Sequence, residues 1–387
     1  MKDLLSLTLM LLVFAASSCQ WKSKAKQKQP DDFHQDILLM KGEKNFYLDD
    51  ETSNWSLSLH YLEKDSALAF YTDYNKTVNV FDYRTGHLTD KVDVGDRVKN
   101  VHEVFAYNLD SIFIYSFAQT TIFLERKDGS TVWKFPIDMG DYLKTFTLMP
   151  YLSTMRPVIY YKQNWYFMCS GLGEYPDIVT KREERPTWMC YHPANKKVSF
   201  LSGFPEFYIH NNMGTYQYWR PSGTFNPSRG ELVTSFKASN QVNVLNLDNQ
   251  EERWVSLKSH YFDTIPLPFK GKDRDYESQQ ESYYHYLKYP SYEGIFYDKY
   301  RHVYYRFILH GVEKPDLTKR AKAYFDKKMS ILVADEDFNI LGETPVYSGY
   351  YVPVTFVTPE GLHVLKLTND ENVATFTVFQ LNPKYRL

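Results

Sequence analysis

The chain has 387 residues, of which 43% are hydrophobic, and it is unusually rich in tyrosine (33) and phenylalanine (26). This composition can build a large core, and aromatic residues are favoured in strand-rich folds. The formal net charge at pH 7 is only -2, so the chain lacks the basic character that a nucleic-acid partner would require. We therefore expect no nucleic-acid partner.

Residues 1–18 have the pattern of a targeting segment. Lys2 precedes a mostly apolar run from Leu4 to Ala16, which is too short for a comfortable membrane span. The letters AASSC then lead to Cys19, an arrangement that resembles a bacterial lipoprotein signal, although Ala16 stands where leucine is usual. The resemblance implies cleavage before Cys19 and acylation of that residue. An ordinary secretory signal cleaved nearby is the alternative.

Residues 19–30 are polar and carry four lysines, as a flexible tether between a lipid and a domain would. Several acyl chains on Cys19 would anchor such a domain firmly to a membrane. We expect a bacterial cell-envelope location at the outer membrane. No acidic residues directly follow Cys19, which favours the periplasmic side over the cell surface. Residues 31–387 are expected to form one domain.

A repeated unit dominates this domain. The segment 66–94 contains three short strands joined by tight turns, and the same order recurs in 111–137 and 231–257. A unit that returns every ~40–50 residues is typical of a β-propeller, whose sheets have two apolar faces and need neighbours on both sides. With less regular copies there are six units, whose second strands begin near residues 67, 111, 164, 231, 302 and 361.

The last unit lacks a fourth strand, and an uncovered sheet edge invites aggregation. The segment 45–49 is the natural candidate to complete it. The sequence therefore predicts an all-β fold, a six-bladed β-propeller closed by an N-terminal strand.

Five long connections are predicted to lie on one face of this ring, and only the connection 221–230 enlarges the other face. Short helices are expected from Asp273 and from Asp316, where an aspartate N-cap follows a proline. Loops on a rigid scaffold often carry function, so we expect a ligand or partner on this face. The five connections are 138–154, 171–186, 203–214, 260–294 and 311–328.

Candidate ligand-binding residues are aromatic, basic and histidine side chains in or beside these connections. Such side chains are used to recognise sugars and peptides, but they could equally pack the insertions onto the ring. The candidates are Tyr175, Arg182, Arg185, Trp188, His210 and Trp219.

Recognisable catalytic chemistry is missing. The chain has no GxSxG, HExxH, GxGxxG or P-loop motif, so no catalytic residue, cofactor or metal is predicted. The segment 335–339 superficially resembles a calcium loop, but Ile340 and Val346 occupy the positions of its glycine and glutamate, so a polar hairpin is expected. Cys169 and Cys190 fall on neighbouring strands, where they either form a disulfide or remain buried thiols.

The C-terminal third carries a resemblance to a known family, in GIFYDKYRHVYYRFILH, ILVADEDFNILGE and FVTPEGLHVLKL together with the lipoprotein-like start. These segments resemble uncharacterised Bacteroidota lipoproteins with a six-bladed, TolB-like propeller domain. The resemblance covers nearly the whole mature chain and brings no established catalytic residues.

The sequence favours a lipid-anchored binding or scaffold protein of the cell envelope, with an unknown glycan, peptide or protein partner. The alternative is an envelope enzyme that acts on glycans or peptides with acids at the channel mouth. A third reading is a structural subunit of an outer-membrane complex. Fold alone does not decide among them.

Overall fold

The computed structural model describes residues 34–56, 58–95, 97–137, 147–172, 185–209, 211, 213–214, 217–263, 276–346 and 348–385. Their strands form six antiparallel sheets of four strands each, one of which carries an additional short strand. Apart from the N-terminal strand of one sheet and the additional short strand of another, consecutive strands of the chain are neighbours in each sheet, as in the blade of a propeller. This confirms the predicted six-bladed β-propeller.

The first three blades follow one another along the chain. Blade one contains β2 (Leu59–Leu62), β3 (Ala67–Thr72), β4 (Thr77–Asp82) and β5 (Leu88–Asp93). Blade two contains β6 (Val101–Asn108), β7 (Ser111–Ser116), β8 (Thr121–Glu125) and β9 (Thr131–Pro136). Blade three contains β10 (Thr147–Tyr151), β11 (Ile159–Tyr161), β12 (Asn164–Leu172), β13 (Trp188–His192) and β14 (Lys197–Leu201).

The other three blades complete the ring, and the last takes its fourth strand from the N-terminal side. Blade four contains β15 (Ser222–Asn226), β16 (Glu231–Ser235), β17 (Gln241–Asn246) and β18 (Glu252–Ser256). Blade five contains β19 (Ser291–Asp298), β20 (Val303–Leu309), β21 (Met329–Asp335) and β22 (Ile340–Val346). Blade six contains β23 (Tyr350–Thr358), β24 (Gly361–Lys366), β25 (Val373–Leu381) and β1 (Leu38–Tyr47).

Helices lie in the connections. The helix α1 spans Glu206–Ile209 and α2 spans Tyr276–Lys288, while 3-10 helices span Glu63–Asp65 and Leu317–Asp326. As predicted, the Asp316 side chain caps the last of these by accepting a hydrogen bond from the Thr318 amide. We call upper the face that carries the fourth-to-first and second-to-third strand connections. Both α2 and the helix Leu317–Asp326 belong to it.

Burial is greatest in the middle strands of a blade. The second strand β3 and the third strand β8 are buried along their whole length, whereas the fourth strands β5 and β9 are mostly exposed or half-buried. Buried apolar side chains of neighbouring blades form shared clusters, for example between blades one and two and between blades two and three. Each blade is therefore stabilised by the blades beside it.

The ring is closed by β1, which pairs antiparallel with β25 from Leu38 opposite Leu381 to Tyr47 opposite Val373. This confirms the predicted N-terminal closure, although the strand starts earlier than the predicted segment 45–49. Phe46 of β1 is 1% exposed. The centre of its ring lies within 6.5 Å of the ring centres of Phe81 in blade one and of Phe356 and Phe376 in blade six. The closing strand thus connects the last blade to the first.

The central channel is obstructed by residues 152–158, which separate β10 from β11. Thr154 Oγ accepts a hydrogen bond from the Leu59 amide at 2.8 Å and donates one to the Leu59 carbonyl at 3.0 Å. The Met155 carbonyl accepts from Gly223 in blade four, and the Met155 side chain packs into the apolar cluster of blades five and six. This plug, as we call residues 152–158, reaches across the channel.

Three predicted connections differ from the structure. The predicted connection 138–154 contains β10, which begins at Thr147, and the predicted connection 260–294 contains the start of β19 at Ser291. Half of the segment 221–230, which is predicted to enlarge the lower face, is β15. All three differences concern first strands, in which a proline in β10 and a glycine in each of β15 and β19 weaken the sequence signal of a strand.

Replacing Phe46 by alanine should lower the free energy of unfolding by about 3–5 kcal/mol, because it leaves a cavity between the last and first blades. Met40 lies on the same strand but is 59% exposed, so Met40→Ala should change stability by less than about 0.5 kcal/mol. Urea titrations of both variants measure the difference. Equal effects would contradict the role assigned to Phe46 in closing the ring.

The pH dependence of stability should be set in part by His363, which is fully buried in β24. Its Nε2 lies 2.9 Å from the Tyr83 hydroxyl of blade one, and its Nδ1 donates to the Gly361 carbonyl at 3.1 Å. Burial lowers the pKa of His363 from 6.5 to about 4. Between pH 6.5 and about pH 4, His363 binds a proton in the unfolded chain but not in the folded protein. The free energy of unfolding therefore falls as the pH falls through this range.

Between pH 7 and pH 5 this histidine alone should remove about 2 kcal/mol from the free energy of unfolding. His363→Gln should flatten the pH dependence by that amount. His87→Gln, at an exposed position, should keep the slope of the parent protein. Urea unfolding at several pH values measures the slopes, and an unchanged slope in His363→Gln would refute the assignment.

Candidate functional site

The upper face contains a cavity of about 570 Å³. Blades four to six and the connections above them supply most of its lining, and Trp55 enters from the connection between blades six and one. We call it the upper cavity. It is lined by Trp55, Gln217, Lys237, Gln279, Gln280, Tyr283, Tyr286, Glu293, Leu317, Tyr324, Phe325, Tyr351 and Pro353.

Two irregular first strands place backbone and side chains at this cavity. In β19 the pairing with β20 is interrupted between Tyr292 and Ile295, and Glu293 lies in the interruption. In β23 the pairing with β24 is interrupted between Tyr351 and Thr355, and Pro353 lies there. A bulge redirects the side chains of the extra residues, which is how regular strands come to present these groups to a cavity.

The floor of the cavity holds a buried ion pair. The Lys237 ammonium donates to Glu293 Oε2, and both side chains are almost fully buried. Tyr286 and Ser291 each donate to Glu293 Oε1 at 2.9 Å. Burial alone would raise the pKa of Glu293, but the charge and hydrogen bond of Lys237, with the Ser291 hydrogen bond, outweigh burial and lower it. Glu293 is thus held as a carboxylate with both oxygens occupied.

A second buried lysine fixes the C-terminal end of α2 beside the cavity. Lys327 donates to the carbonyls of Tyr286 and Tyr289 at 2.7 and 2.8 Å, where a helix end leaves acceptors unpaired. Its ammonium also lies 4.6 Å from the centre of the Tyr286 ring. Burial lowers the pKa of Lys327 to about 7. This lysine connects the insertion in blade five to the one that precedes it.

The rim of the cavity is aromatic. Trp55 is 43% exposed and stacks on Tyr351 with ring centres 4.0 Å apart and planes inclined by 30°. Phe325 meets the Trp55 ring edge-on at 6.1 Å. An indole held in place by two other rings yet open to solvent is suited to contact a ligand through its face.

Two charged side chains, those of Glu103 and Arg156, hold the plug in place. The Leu152 amide, at the start of the plug, donates to Glu103 Oε2. Arg156 donates through Nε to the Pro221 carbonyl at 2.8 Å and lies over the Tyr151 ring at 4.8 Å. Burial raises the pKa of Glu103. The hydrogen bond from the Leu152 amide and the charge of Arg156 lower this pKa, but burial has the larger effect. The plug is therefore tied to blades two and four by polar groups as well as apolar packing.

Three of the predicted site residues fall among the described residues. Trp188 is fully buried and donates its indole N–H to Thr234 of blade four at 2.8 Å. Trp219 is 1% exposed, and the Arg185 guanidinium covers its ring at 4.1 Å. Burial leaves neither indole a surface that a ligand could touch, so we do not carry these two tryptophans further as ligand contacts. They pack the insertions onto the ring.

The other predicted positions lie outside the described residues, namely Cys19, Tyr175, Arg182 and His210. Their proposed roles stay predictions. Cys169 and Cys190 are both buried free thiols. Residues 335–339 form the expected polar hairpin, in which Asp335 accepts hydrogen bonds from the Asp337 and Asn339 amides. Among the described residues no group of three or more His, Cys, Asp or Glu side chains could hold a metal ion.

The residues that line the upper cavity were mostly missed from the sequence. Two signals existed: Gly294 lies within β19 and Pro353 within β23, and both residue types mark bulges. Nothing in the sequence connects Trp55 to Lys237, because they are brought together only by the closed ring.

A second cavity, of about 520 Å³, is lined by the first strands at the lower face and by residues of the plug, including Thr154 and Pro157. The plug lies between the upper face and this lower cavity. A ligand bound on one face would therefore not pass freely to the other.

Comparison with known proteins gives a family and a fold. A family model described as "Domain of unknown function (DUF4221)" matches residues 36–345. No curated protein matches the chain significantly. In the part of the chain that the structure describes, no helix has the length and apolar character needed to cross a membrane.

Two solved structures are similar over most of their length. A member of the DUF4221 family from Bacteroides vulgatus has a TM-score of 0.74 at 18% identity, covering 90% of this chain and 99% of that one. A putative exported protein from Bacteroides fragilis has a TM-score of 0.52 at 11% identity, covering 91% and 97%. At these identities the likeness shows the fold alone.

Proposed function

The chain belongs to the DUF4221 family, and from its upper cavity we propose that it is a binding protein of the bacterial cell envelope. The match to the family model and the similar Bacteroides structure confirm the family resemblance that the C-terminal segments predicted. The observation that carries the proposal is the combination of an aromatic rim, amide side chains and a buried ion pair around one cavity. Small-ligand sites have this composition, with apolar walls and a few fixed polar groups.

The proposed ligand is a glycan or a peptide of the envelope. Trp55 offers a ring face at the entrance, and Gln279 offers an exposed amide. Rigid strands and bulges hold the floor, so the site is largely formed before a ligand arrives. If small ligands fail to bind, a protein partner on the same face becomes the better explanation, which is the scaffold role.

An enzymatic role is the second candidate, and Glu103 is the observation that favours it. Its pKa is raised by burial, as the acid of a hydrolase would require. Glycoside hydrolysis needs a second available carboxyl group. The nearby Glu293 is engaged through both oxygens and its pKa is lowered, so it does not supply one. Binding is the function that these groups support better.

We also propose a lipid anchor at Cys19, supported by the signal-like sequence before it. The likeness to a putative exported protein of Bacteroides fragilis supports an envelope location. The outer membrane, with the propeller facing the periplasm, is the proposed site. The lysine-containing tether would then hold the ring near the membrane.

The binding role predicts the behaviour of Trp55→Ala in a thermal-shift screen of residues 31–387 against envelope glycans and muropeptides. A ligand that binds only the folded protein raises its melting temperature. Loss of the Trp55 ring should weaken binding roughly tenfold or more, since a central aromatic contact commonly contributes over 1 kcal/mol. The unliganded melting temperature should change little.

The matched control is Phe117→Ala, because Phe117 is 49% exposed on the upper face and does not line the cavity. This variant should respond to ligands as the parent protein does. Ligands that bind equally to all three proteins would place the site elsewhere. Silence across the whole panel would count against a small-ligand function.

The anchor predicts that Cys19→Ser moves the protein from the membrane fraction to the aqueous fraction of producing cells, because acyl chains provide the attachment. Cys169→Ser keeps Cys19 and should stay with the membrane. Immunoblots of the separated fractions measure this. A membrane-bound Cys19→Ser protein would exclude acylation of Cys19 as the anchor.

A further inference from the structure

The upper cavity has more hydrogen-bond donors than the described residues satisfy. Lys237 has three N–H groups, and among the described residues only Glu293 accepts from its ammonium. The hydroxyl of Tyr324 is buried and has no hydrogen-bond partner among the described residues. Both residues line the cavity. A buried donor without an acceptor is costly, so these two groups are suited to a ligand that brings acceptors.

The charges around Lys237 also favour a ligand that brings hydrogen-bond acceptors. The positive charges of Arg156 and Arg220 act on Lys237 from the channel side. The Arg156 side chain has no ion pair among the described residues, and its only hydrogen bond to them goes from Nε to the Pro221 carbonyl. Of the nearby carboxylates, Glu293 is occupied at both oxygens and Glu103 accepts from Leu152. An additional negative charge in the cavity would therefore be stabilised.

We propose that the ligand of the upper cavity carries a carboxylate, which accepts hydrogen bonds from Lys237 and Tyr324. This rests on the proposed binding function and specifies the chemical class of its ligand. One carboxylate has two oxygens for these two donors. The rest of the ligand packs against Trp55 and the rings that support it.

A single negative charge fits the cavity better than a phosphate group does. Lys237 shares its charge with Glu293, so a doubly charged group would be repelled by the Glu293 carboxylate more than a carboxylate would. Phosphate sites also commonly use the paired N–H groups of arginine or a helix N-terminus, and Lys237 provides only a point charge. The ligand class is thus a monoanionic carboxylate joined to a ring or apolar group.

A sugar acid and the C-terminus of a peptide both have this chemistry. Paired probes distinguish them: galacturonate against its methyl ester, and an alanine-containing dipeptide against its C-terminal amide. In each pair the carboxylate of one compound is replaced by a neutral group in the other. Isothermal titration of the purified protein with all four compounds should show binding of the acid in at least one pair, and at least tenfold weaker binding of its neutral counterpart.

The sharpest variant is Tyr324→Phe, which removes a hydroxyl that has no hydrogen-bond partner among the described residues. It should leave the melting temperature unchanged and weaken binding of the acid roughly tenfold, while binding of the neutral counterpart stays the same. A purely structural tyrosine would show no such difference between the paired probes. Tyr350→Phe is a control, because it removes the hydroxyl of a tyrosine in blade six that does not line the cavity.

Lys237→Gln alone leaves Glu293 buried without its cation and could unfold the protein. The double variant Lys237→Gln/Glu293→Gln removes both charges and keeps the folded state measurable. It should lose the preference for the acid over the ester or amide. Retention of that preference would overturn the assignment to Lys237.

Outcomes separate this inference from the binding function. Equal binding of acid and neutral probes that depends on Trp55 would overturn the carboxylate and leave the binding function standing. No binding of any probe would overturn both. Binding of the acid that is insensitive to Tyr324→Phe and to the double variant would place its carboxylate at another site and refute the proposal.

Discussion

The pairing of β1 with β25 is the interaction on which the rest of the structure depends. Each blade has two apolar faces, so no blade can bury its surface without neighbours on both sides. The strand that follows the N-terminal segment supplies the missing edge of blade six, and its Phe46 packs against blade one. Because the contact joins residues near both ends of the described chain, the ring closes only when nearly the whole domain has folded.

Closure also determines what the first strands can do. In a regular propeller the first strands line an open channel, but here those of blades two, three, five and six depart from regular pairing. Blade three interrupts its first strand to form the plug, while bulges in blades five and six redirect Glu293 and Pro353 to the upper cavity. The same ring therefore obstructs the channel and supports a cavity above it. The function depends on the groups in this cavity, since the propeller fold alone does not specify one.

The cavity combines groups from connections that are far apart in the sequence. Trp55 precedes blade one, Lys237 lies between two strands of blade four, and Tyr324 belongs to a helix inserted in blade five. Burial gives the polar members their properties: it makes Lys237 and Glu293 strongly dependent on each other, and the buried Tyr324 hydroxyl has no hydrogen-bond partner among the described residues. These groups make the upper cavity the centre of the functional proposals.

The number of blades, most strand positions and the closing strand could be predicted from the residues alone, because these features depend on local alternation of apolar residues and on turn residues that repeat along the chain. The two helices on the upper face could be predicted in the same way. Folding places Trp188 and Trp219 in the core and leaves Trp55 exposed, and the sequence does not distinguish a tryptophan in one role from a tryptophan in the other. Contacts such as Lys237 with Glu293 and Thr154 with Leu59 arise from the curvature of the closed ring, which no local pattern encodes.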